Sequence, residues 1–170
     1  MALIIENGTE VTNANSYVTL TDARAYALAR GVTLSATDSV VEILAIKSMD
    51  YLESFDNQFK GVRKTETQAL SWPRDYVYRN DNGYEYPAIP NELKNAQCQL
   101  MIDANSFDIE PNRLLTDKGQ RIKERIEGAI EVEYAQQEQI TRPLLRKFNS
   151  LIAPLLKSGA MGISANIVRF

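Results

Sequence analysis

Side chains able to carry out acid–base or nucleophilic catalysis are scarce in this sequence. It contains no histidine, which removes the usual general base near neutral pH and every histidine-ligated metal site. Glu131 and Glu133 share one side of an alternating segment, but such a pair on a charged hairpin is typical of a solvated ladder rather than of catalytic carboxylates. Cys98 is the only cysteine and is interpreted as a small residue on a helix. We therefore expect no enzyme, no cofactor and no metal site.

Aromatic and basic side chains are interleaved between residues 58 and 86. The set comprises Phe59, Lys60, Arg63, Lys64, Trp72, Arg74, Tyr76, Tyr78, Arg79, Tyr84 and Tyr86. Lys60 to Arg79 contains five bases against two acids, a local balance of +3. Rings with cationic neighbours can hold single-stranded nucleic acid by stacking. Alternatively, the rings cover helices and the bases pair with acids elsewhere in the fold.

The same region contains the run Gln68-Ala69-Leu70-Ser71-Trp72-Pro73-Arg74, with the only tryptophan of the chain. Because Trp72 precedes a proline, its backbone is pushed into the extended region, and the run cannot be an ordinary helix interior. It predicts an anchored connector. Trp72 would be a core anchor and Arg74 a salt-bridge partner, or the two would form an interaction surface.

Length and charge limit the class of protein. The 170 residues carry 22 acids and 19 bases, a net charge of −3, and the pI is about 5.1. This length suffices for one domain with a core, and the acidic balance argues against a surface devoted entirely to phosphates. The N-terminus lacks the basic region of a signal peptide, and no apolar run approaches membrane-spanning length. We expect a soluble protein made inside the cell, with no membrane partner.

Hydrophobic periodicity predicts about four helices. In the first, Thr19 and Asp22 have capping-box spacing and Gly31 is a left-handed stop. In the second, Ser35 and Asp38 repeat the capping spacing. Its buried stripe is predicted to contain Val40, Val41, Leu44, Ser48, Tyr51, Leu52 and Phe55. Its wetter side is predicted to contain Glu42, Lys47, Asp50 and Glu53.

The third helix is predicted with Pro90 in its first turn. Its buried face would contain Leu93, Ala96, Leu100, Met101 and Ala104. The last helix is predicted from about Thr141 to Lys157, bent or ended by Pro154.

Between the third and last helices the period changes to two. Alternation from Gln120 to Tyr134 predicts a β-hairpin that turns at Gly128-Ala129. The hairpin would set a basic row opposite an acidic row and could pair with a neighbouring copy. These rows contain Arg121, Lys123, Arg125, Glu131 and Glu133.

Beyond the last helix the composition predicts a flexible C-terminal arm. Residues 158–162 are rich in glycine and small side chains, yet the apolar residues that follow are typical of a segment that orders on a partner. They are Ile163, Ile167, Val168 and Phe170. The predicted fold is therefore mainly α: a helical domain over residues 1–157, with the hairpin at about 120–134, and an arm over residues 158–170.

Three blocks in this order carry a resemblance to a known family. They are Asn15-Ser16-Tyr17-Val18-Thr19-Leu20 running into Arg30-Gly31, the run from Gln68 to Arg74, and Ile89-Pro90 with Leu93, Lys94 and Ala96. With the hairpin residues 130–134 and the ending Leu155-Leu156, the similarity covers nearly the whole chain. The chain resembles the head-to-tail adaptor (connector, head-completion) proteins of tailed phages, in a subgroup labelled DnaT-like single-stranded-DNA-binding protein.

The resemblance implies a helical bundle that assembles as a ring, expected to be dodecameric, beneath the portal protein at the head-to-tail junction of the virion. Such a protein is made in the host cytoplasm, extends the DNA channel, helps retain packaged DNA and offers a docking surface to the tail or the next connector protein. The family has no catalytic residues to transfer. Gln68, Trp72, Pro73 and Arg74 transfer as a structural motif.

Two further hypotheses complete the sequence-based expectations. The apolar residues of the C-terminal arm are our candidates for docking on the portal. The alternative function takes the single-stranded-DNA label literally, with residues 60–86 as the binding platform. It predicts salt-sensitive DNA binding that drops when Trp72 or Tyr76 becomes alanine.

Overall fold

The computed structural model describes residues 2–79, 83–109, 124–126, 130–132 and 145–157. These contain four α-helices: α1 (Leu20–Leu28), α2 (Asp38–Glu53), α3 (Asn91–Ser106) and α4 (Arg146–Ile152). Short strands pair antiparallel, β1 (Val62–Arg63) with β2 (Arg74–Asp75), β3 (Tyr78–Arg79) with β4 (Tyr84–Glu85), and β5 (Glu124–Ile126) with β6 (Ile130–Val132). The predicted fold class, mainly α with four helices and an inserted hairpin, is confirmed.

The chain divides into two compact units. Among the described residues, one unit contains 2–79, 83–109 and 145–157 with the four helices, and the other contains β5 and β6. In the second unit the strand register pairs Arg125 with Glu131 and Ile126 with Ile130. The turn predicted at Gly128-Ala129 lies outside the described residues.

Helix α1 begins and ends as its sequence predicts. The Thr19 hydroxyl accepts a hydrogen bond from the Asp22 backbone N–H at 3.1 Å and donates one to the Asp22 carboxylate at 2.8 Å. Gly31 adopts φ +74°, the left-handed conformation that closes a helix. Ala23 and Ala27 are fully buried, so the small side chains let α1 approach its neighbours closely.

The predicted cap and stripe of α2 need correction. The N-cap is Thr37 rather than Ser35 and makes no side-chain capping hydrogen bond, and the Asp38 carboxylate pairs with Arg24 at 2.7 Å. Val40, predicted to be buried, is 42% exposed. The helix is rotated so that the stripe around Val41 faces the core. The buried side chains of α2 are Val41, Leu44, Ala45, Ser48, Met49 and Leu52.

Helix α3 begins later than predicted. Pro90 has extended backbone angles and is the N-cap of α3 rather than part of its first turn. Leu145 is the N-cap of α4, which begins at Arg146; the start predicted near Thr141 lies outside the described residues. Pro154 lies in the 3-10 turn that follows Ile152, which confirms that the proline ends the helix.

Helix α3 is the centre of the helical unit, since it packs against α1, α2 and α4. Its sides contribute to two separate clusters of buried apolar side chains. Leu93, Ala96 and Leu100 belong to the cluster that also contains Trp72 and Phe148. On the opposite side, Cys98, Met101 and Ile102 belong to the cluster with Val41 and Ala27. A helix buried on both sides fixes the elements on each side relative to one another.

The final described residues join the core near Phe59. Leu156 bridges to Phe59 in antiparallel fashion, the Lys60 N–H donates to the Leu155 carbonyl at 2.9 Å, and the Lys157 N–H donates to the Gln58 carbonyl at 2.8 Å. The chain after α4 is therefore tied to the start of the aromatic and basic segment.

Two glycines with similar backbone angles should respond very differently to alanine. Gly61 (φ +70°) lies against β2, and an added Cβ would be 2.2 Å from the Asp75 carbonyl oxygen; at Gly31 (φ +74°) nothing lies within 4 Å of that position. We expect Gly31→Ala to lower the free energy of unfolding by about 1 kcal/mol. Gly61→Ala should lower it by more than about 3 kcal/mol, because β1 and β2 must separate. Urea denaturation followed by circular dichroism measures both values, and equal losses would contradict the close approach.

Candidate functional site

Residues 64–73 form the connector between β1 and β2. The connector ends with the buried residues Trp72 and Pro73, and Arg74 begins β2. Trp72 is fully buried, and its indole packs edge-on against Phe59 with the ring centroids 6.0 Å apart. The Trp72–Pro73 peptide bond is cis. The indole Nε1 has no hydrogen-bond partner among the described residues. Trp72 therefore has the packing role that sequence analysis gave as one of its two interpretations, and its ring is not available for stacking on a base.

The Gln68 side chain closes the connector on itself. Its amide nitrogen donates to the carbonyl oxygens of Leu70 at 2.7 Å and Pro73 at 3.0 Å. Its amide oxygen accepts from the Thr65 N–H at 3.0 Å. A single buried side chain thus hydrogen-bonds to three backbone groups of the connector. This explains why a glutamine stands at this place in the motif.

Glu53, at the end of α2, ties the connector to the N-terminal segment. One carboxylate oxygen accepts from the Ser71 N–H at 2.8 Å and the Ser71 hydroxyl at 2.5 Å, and the other accepts from the Tyr17 hydroxyl at 3.1 Å. The Tyr17 hydroxyl in turn accepts from the Trp72 N–H at 3.1 Å. Glu53 was predicted to lie on the wetter side of α2, and that expectation is wrong.

Burial changes the acidity of this pair. Burial raises the pKa of Glu53, and its hydrogen bonds from Ser71 and Tyr17 oppose the rise without cancelling it. Burial, together with the nearby Glu53 charge, raises the pKa of Tyr17 well above its ordinary value. The Ser71 hydroxyl that donates to Glu53 is fully buried, so the arrangement holds the connector in place.

Arg74 is part of an ion-pair network. Its guanidinium donates to the Asp56 carboxylate at 2.8 Å and to the Lys60 carbonyl at 2.9 Å. Arg63 binds the same carboxylate at 3.1 Å. Burial alone would raise the pKa of Asp56. Hydrogen bonds from Arg63, Ser71 and Arg74, together with the positive charge of Arg63, hold this pKa below its usual value. Arg74 is thus the salt-bridge partner that its place after Trp72-Pro73 suggests.

All five bases between Lys60 and Arg79 contact protein acceptors. The acceptors are Pro154 carbonyl for Lys60 (2.9 Å), Asp56 for Arg63 and Arg74, Glu10 for Lys64 (3.1 Å) and Glu92 for Arg79 (3.0 Å). Asp56, Glu10 and Glu92 lie outside the window in which sequence analysis counted charges. The local excess of +3 is therefore largely neutralised by carboxylates that the fold brings in from elsewhere.

Three tyrosines of the segment remain exposed. Tyr76, Tyr78 and Tyr84 are 68%, 45% and 75% exposed. The β3–β4 register pairs Tyr78 with Glu85 and Arg79 with Tyr84. Since cross-strand partners share a face of a ribbon and neighbours along a strand alternate, Tyr78 and Tyr84 lie on opposite faces.

Tyr76 has φ +61°, an unfavourable backbone conformation for an aromatic residue. Its N–H donates to the Glu85 carboxylate at 3.2 Å. This places Tyr76, Tyr78 and Glu85 next to one another, and we call these three residues the outward face of the ribbon. Sequence analysis included both tyrosines but missed Glu85. Only the strand register reveals that Glu85 lies opposite Tyr78 and near Tyr76.

Other sequence-based candidates are placed incompletely. In the hairpin unit, Arg125 lies opposite Glu131 in the strand register. The remaining candidates all lie outside the described residues: Arg121, Lys123, Glu133, Ile163, Ile167, Val168 and Phe170. The described residues contain no group of three or more metal-ligating side chains. Cys98 is a buried core residue of α3, and this burial raises the pKa of its thiol to about 12.

Among the helices described, none combines the length and the apolar character needed to cross a membrane.

Replacing Glu53 by glutamine should change how stability depends on pH. A carboxyl whose pKa is higher in the folded chain binds its proton more tightly when folded, so the free energy of unfolding falls as pH rises from about 4.3, the unfolded value, through the folded pKa. Glu53→Gln lacks this contribution. We expect wild type to lose stability relative to Glu53→Gln between about pH 4 and about pH 8, as measured by urea denaturation at both values.

Glu66→Gln provides the control for this measurement, since it removes one exposed acid from the same connector. It should leave the pH dependence of wild type unchanged. If wild type kept the same stability relative to Glu53→Gln, or gained stability relative to it, as pH rises, the raised pKa of Glu53 would be contradicted.

Comparison with known proteins places the chain in a family. No curated protein and no solved structure matches it. A family model described as putative DnaT-like ssDNA binding protein matches residues 1–170, the whole chain. The subgroup label inferred from the three sequence blocks is confirmed. The chain belongs to the family of putative DnaT-like ssDNA-binding proteins.

Proposed function

We propose that the chain is a structural virion protein, a head-to-tail adaptor that forms a ring between the portal and the tail of a phage. The ring, expected to be dodecameric, would extend the DNA channel and help retain the packaged genome. The role is mechanical and involves no catalytic step. The proposal begins from the resemblance of the three sequence blocks and is supported by how the aromatic and basic segment is used.

The observation that carries the proposal is the state of that segment. Trp72 is fully buried, and each of the five neighbouring bases contacts a carboxylate or a carbonyl of the protein. A platform for single strands needs accessible rings beside cations that can meet phosphates. Here the motif instead stabilises the packing between α2, the connector and α4. An acidic chain with little affinity for DNA suits a channel through which DNA must slide.

Two regions would form the contacts of the ring. The hairpin with Arg125 opposite Glu131 would pair with a neighbouring copy, because opposite charges on one strand face can exchange partners across a symmetric assembly. The C-terminal arm would order on the portal through Ile163, Ile167, Val168 and Phe170. A segment of this kind becomes ordered only when its partner is present, because contacts with the partner offset the conformational entropy that ordering removes.

The alternative function is single-stranded-DNA binding, and the family description together with the exposed tyrosines favours it as the second candidate. Base stacking contributes about 1–3 kcal/mol per base held by an aromatic side chain, so the exposed tyrosines would supply part of the binding energy for a single strand. Trp72, one of the two residues whose change to alanine was predicted to weaken binding, is fully buried and would not take part. Tyr76→Ala should then weaken binding, while Trp72→Ala would act only by destabilising the fold.

Cryo-electron microscopy of the full chain mixed with the portal protein of the same virus tests the adaptor proposal. We expect a closed ring on the tail-facing end of the portal. Fluorescence anisotropy with a labelled oligothymidylate on the same preparation should give a Kd weaker than about 10⁻⁴ M at physiological salt. Dispersed monomers that ignore the portal but bind the oligothymidylate tightly, with affinity falling as salt rises, would favour the alternative.

The assignment of the arm is tested by removing residues 159–170. We expect this truncated chain to lose binding to the portal while keeping the unfolding transition of the helical unit. A matched variant with Ile163, Ile167, Val168 and Phe170 all changed to serine keeps the chain length and should lose binding equally. Unchanged portal affinity in either variant, measured by co-sedimentation, would show that docking uses another surface.

A further inference from the structure

We propose that the outward face of the β3–β4 ribbon binds a cationic side chain, arginine or lysine, presented by a protein partner. The face consists of Tyr76, Tyr78 and Glu85. The inference rests on the proposed function only in taking a protein, rather than DNA, as the partner. It does not depend on assembly of the chain into an oligomeric ring.

The strand register separates this face from the core. Along β3 and the residue before it, Val77 is buried and Tyr78 is exposed; along β4 and the residue after it, Glu85 is exposed and Tyr86 is buried. The Tyr86 N–H donates to the Val77 carbonyl at 2.8 Å, which extends the pairing toward the core. Val77 and Tyr86 thus pack into the core, while Tyr76, Tyr78 and Glu85 are exposed.

The Tyr76 backbone supports a role beyond packing. A tyrosine at φ +61° costs free energy that a glycine there would avoid. The ring does not recover that cost by burial, since it is 68% exposed. The N–H of the strained residue donates to Glu85, and this hydrogen bond places the carboxylate beside the tyrosines. Strain kept at an exposed residue is typical of a binding surface.

The chemistry of the face favours a cation over a phosphate. A guanidinium or ammonium is attracted to the face of a tyrosine ring and pairs with a carboxylate. A phosphate brought to the same place would meet the charge of Glu85. Tyrosine is also among the residues that contribute most to protein–protein binding.

The molecule already forms this contact twice within itself. The Arg30 guanidinium lies 3.3 Å from the ring centroid of Tyr26, and that of Arg79 lies 4.9 Å from the ring centroid of Tyr86. Arg79 also pairs with Glu92, so one arginine there contacts a tyrosine ring and a carboxylate at once. The outward face offers the same two groups without a cation of its own among the five bases of the segment, all of which have other acceptors.

The test is an NMR titration of the full isotope-labelled chain with the capped peptide Gly-Arg-Gly-Arg-Gly. We expect saturable shifts of the Tyr76 and Tyr78 ring resonances, and binding at least about threefold tighter than that of the same peptide with citrulline in place of arginine, which keeps the shape without the charge. Glu85→Gln should weaken arginine-peptide binding by a similar factor, because glutamine can still accept from the Tyr76 N–H but carries no charge.

Tyr84→Leu is the matched control, since this equally exposed tyrosine lies on the other face of the ribbon and its loss should leave the titration unchanged. Equal shifts with arginine and citrulline peptides, or no shift at all, would overturn the proposal. Larger shifts of the same rings with oligothymidylate would assign the face to DNA. Ring shifts that depend on protein concentration without peptide would assign it to a second copy. Portal binding, measured separately, reports on the adaptor proposal alone.

Discussion

The hydrogen bonds accepted by the Glu53 carboxylate constrain the arrangement of the helical unit. A carboxylate removed from water must keep its donors, because the loss of each would expose the full desolvation penalty. Here the donors come from Ser71 in the connector and Tyr17 in the N-terminal segment. The end of α2, the connector and the N-terminal segment are therefore held together at one point. Trp72 enters the core at this point, since its N–H donates to the same Tyr17 hydroxyl.

Helix α3 carries this constraint through the rest of the unit. The buried side chain of Gln97 accepts from the Tyr17 N–H at 2.9 Å and donates to the Ser16 hydroxyl at 2.8 Å. Tyr17 is thus fixed through its hydroxyl by Glu53 and through its backbone N–H by Gln97 of α3. Since α3 contributes apolar side chains to both buried clusters, α3 is held by packing on two sides, and the connector packs through Leu70 and Trp72 against this fixed helix. This favours a rigid role for the Trp-Pro-Arg motif.

The sequence predicts most of the fold where local rules decide it. Capping at Thr19, the stop at Gly31 and the break at Pro154 depend on residues only a few positions apart, and all three are confirmed. Prediction was wrong for Val40, because the apolar residues of α2 nearly encircle the helix and only the position of α3 selects which of them are buried. The positive φ of Tyr76 has no local signal, since neither glycine nor asparagine marks it.

The candidate site could be predicted only in part, because the sequence does not show which distant acids pair with the bases of the segment. Counting Lys60 to Arg79 gives an excess of bases, but Glu10, Asp56 and Glu92 approach that segment through the fold, from sequence positions outside it. Exposed ion pairs such as Lys64–Glu10 and Arg79–Glu92 contribute at most about 1 kcal/mol each, so their importance here lies less in stability than in occupying cations that would otherwise meet phosphate. Glu85 places a negative charge beside two of the exposed rings, those of Tyr76 and Tyr78. A segment that is basic in sequence thus presents an acid on its accessible aromatic face. The partner bound at that face is selected by the charge of this acid rather than by the net charge of the segment.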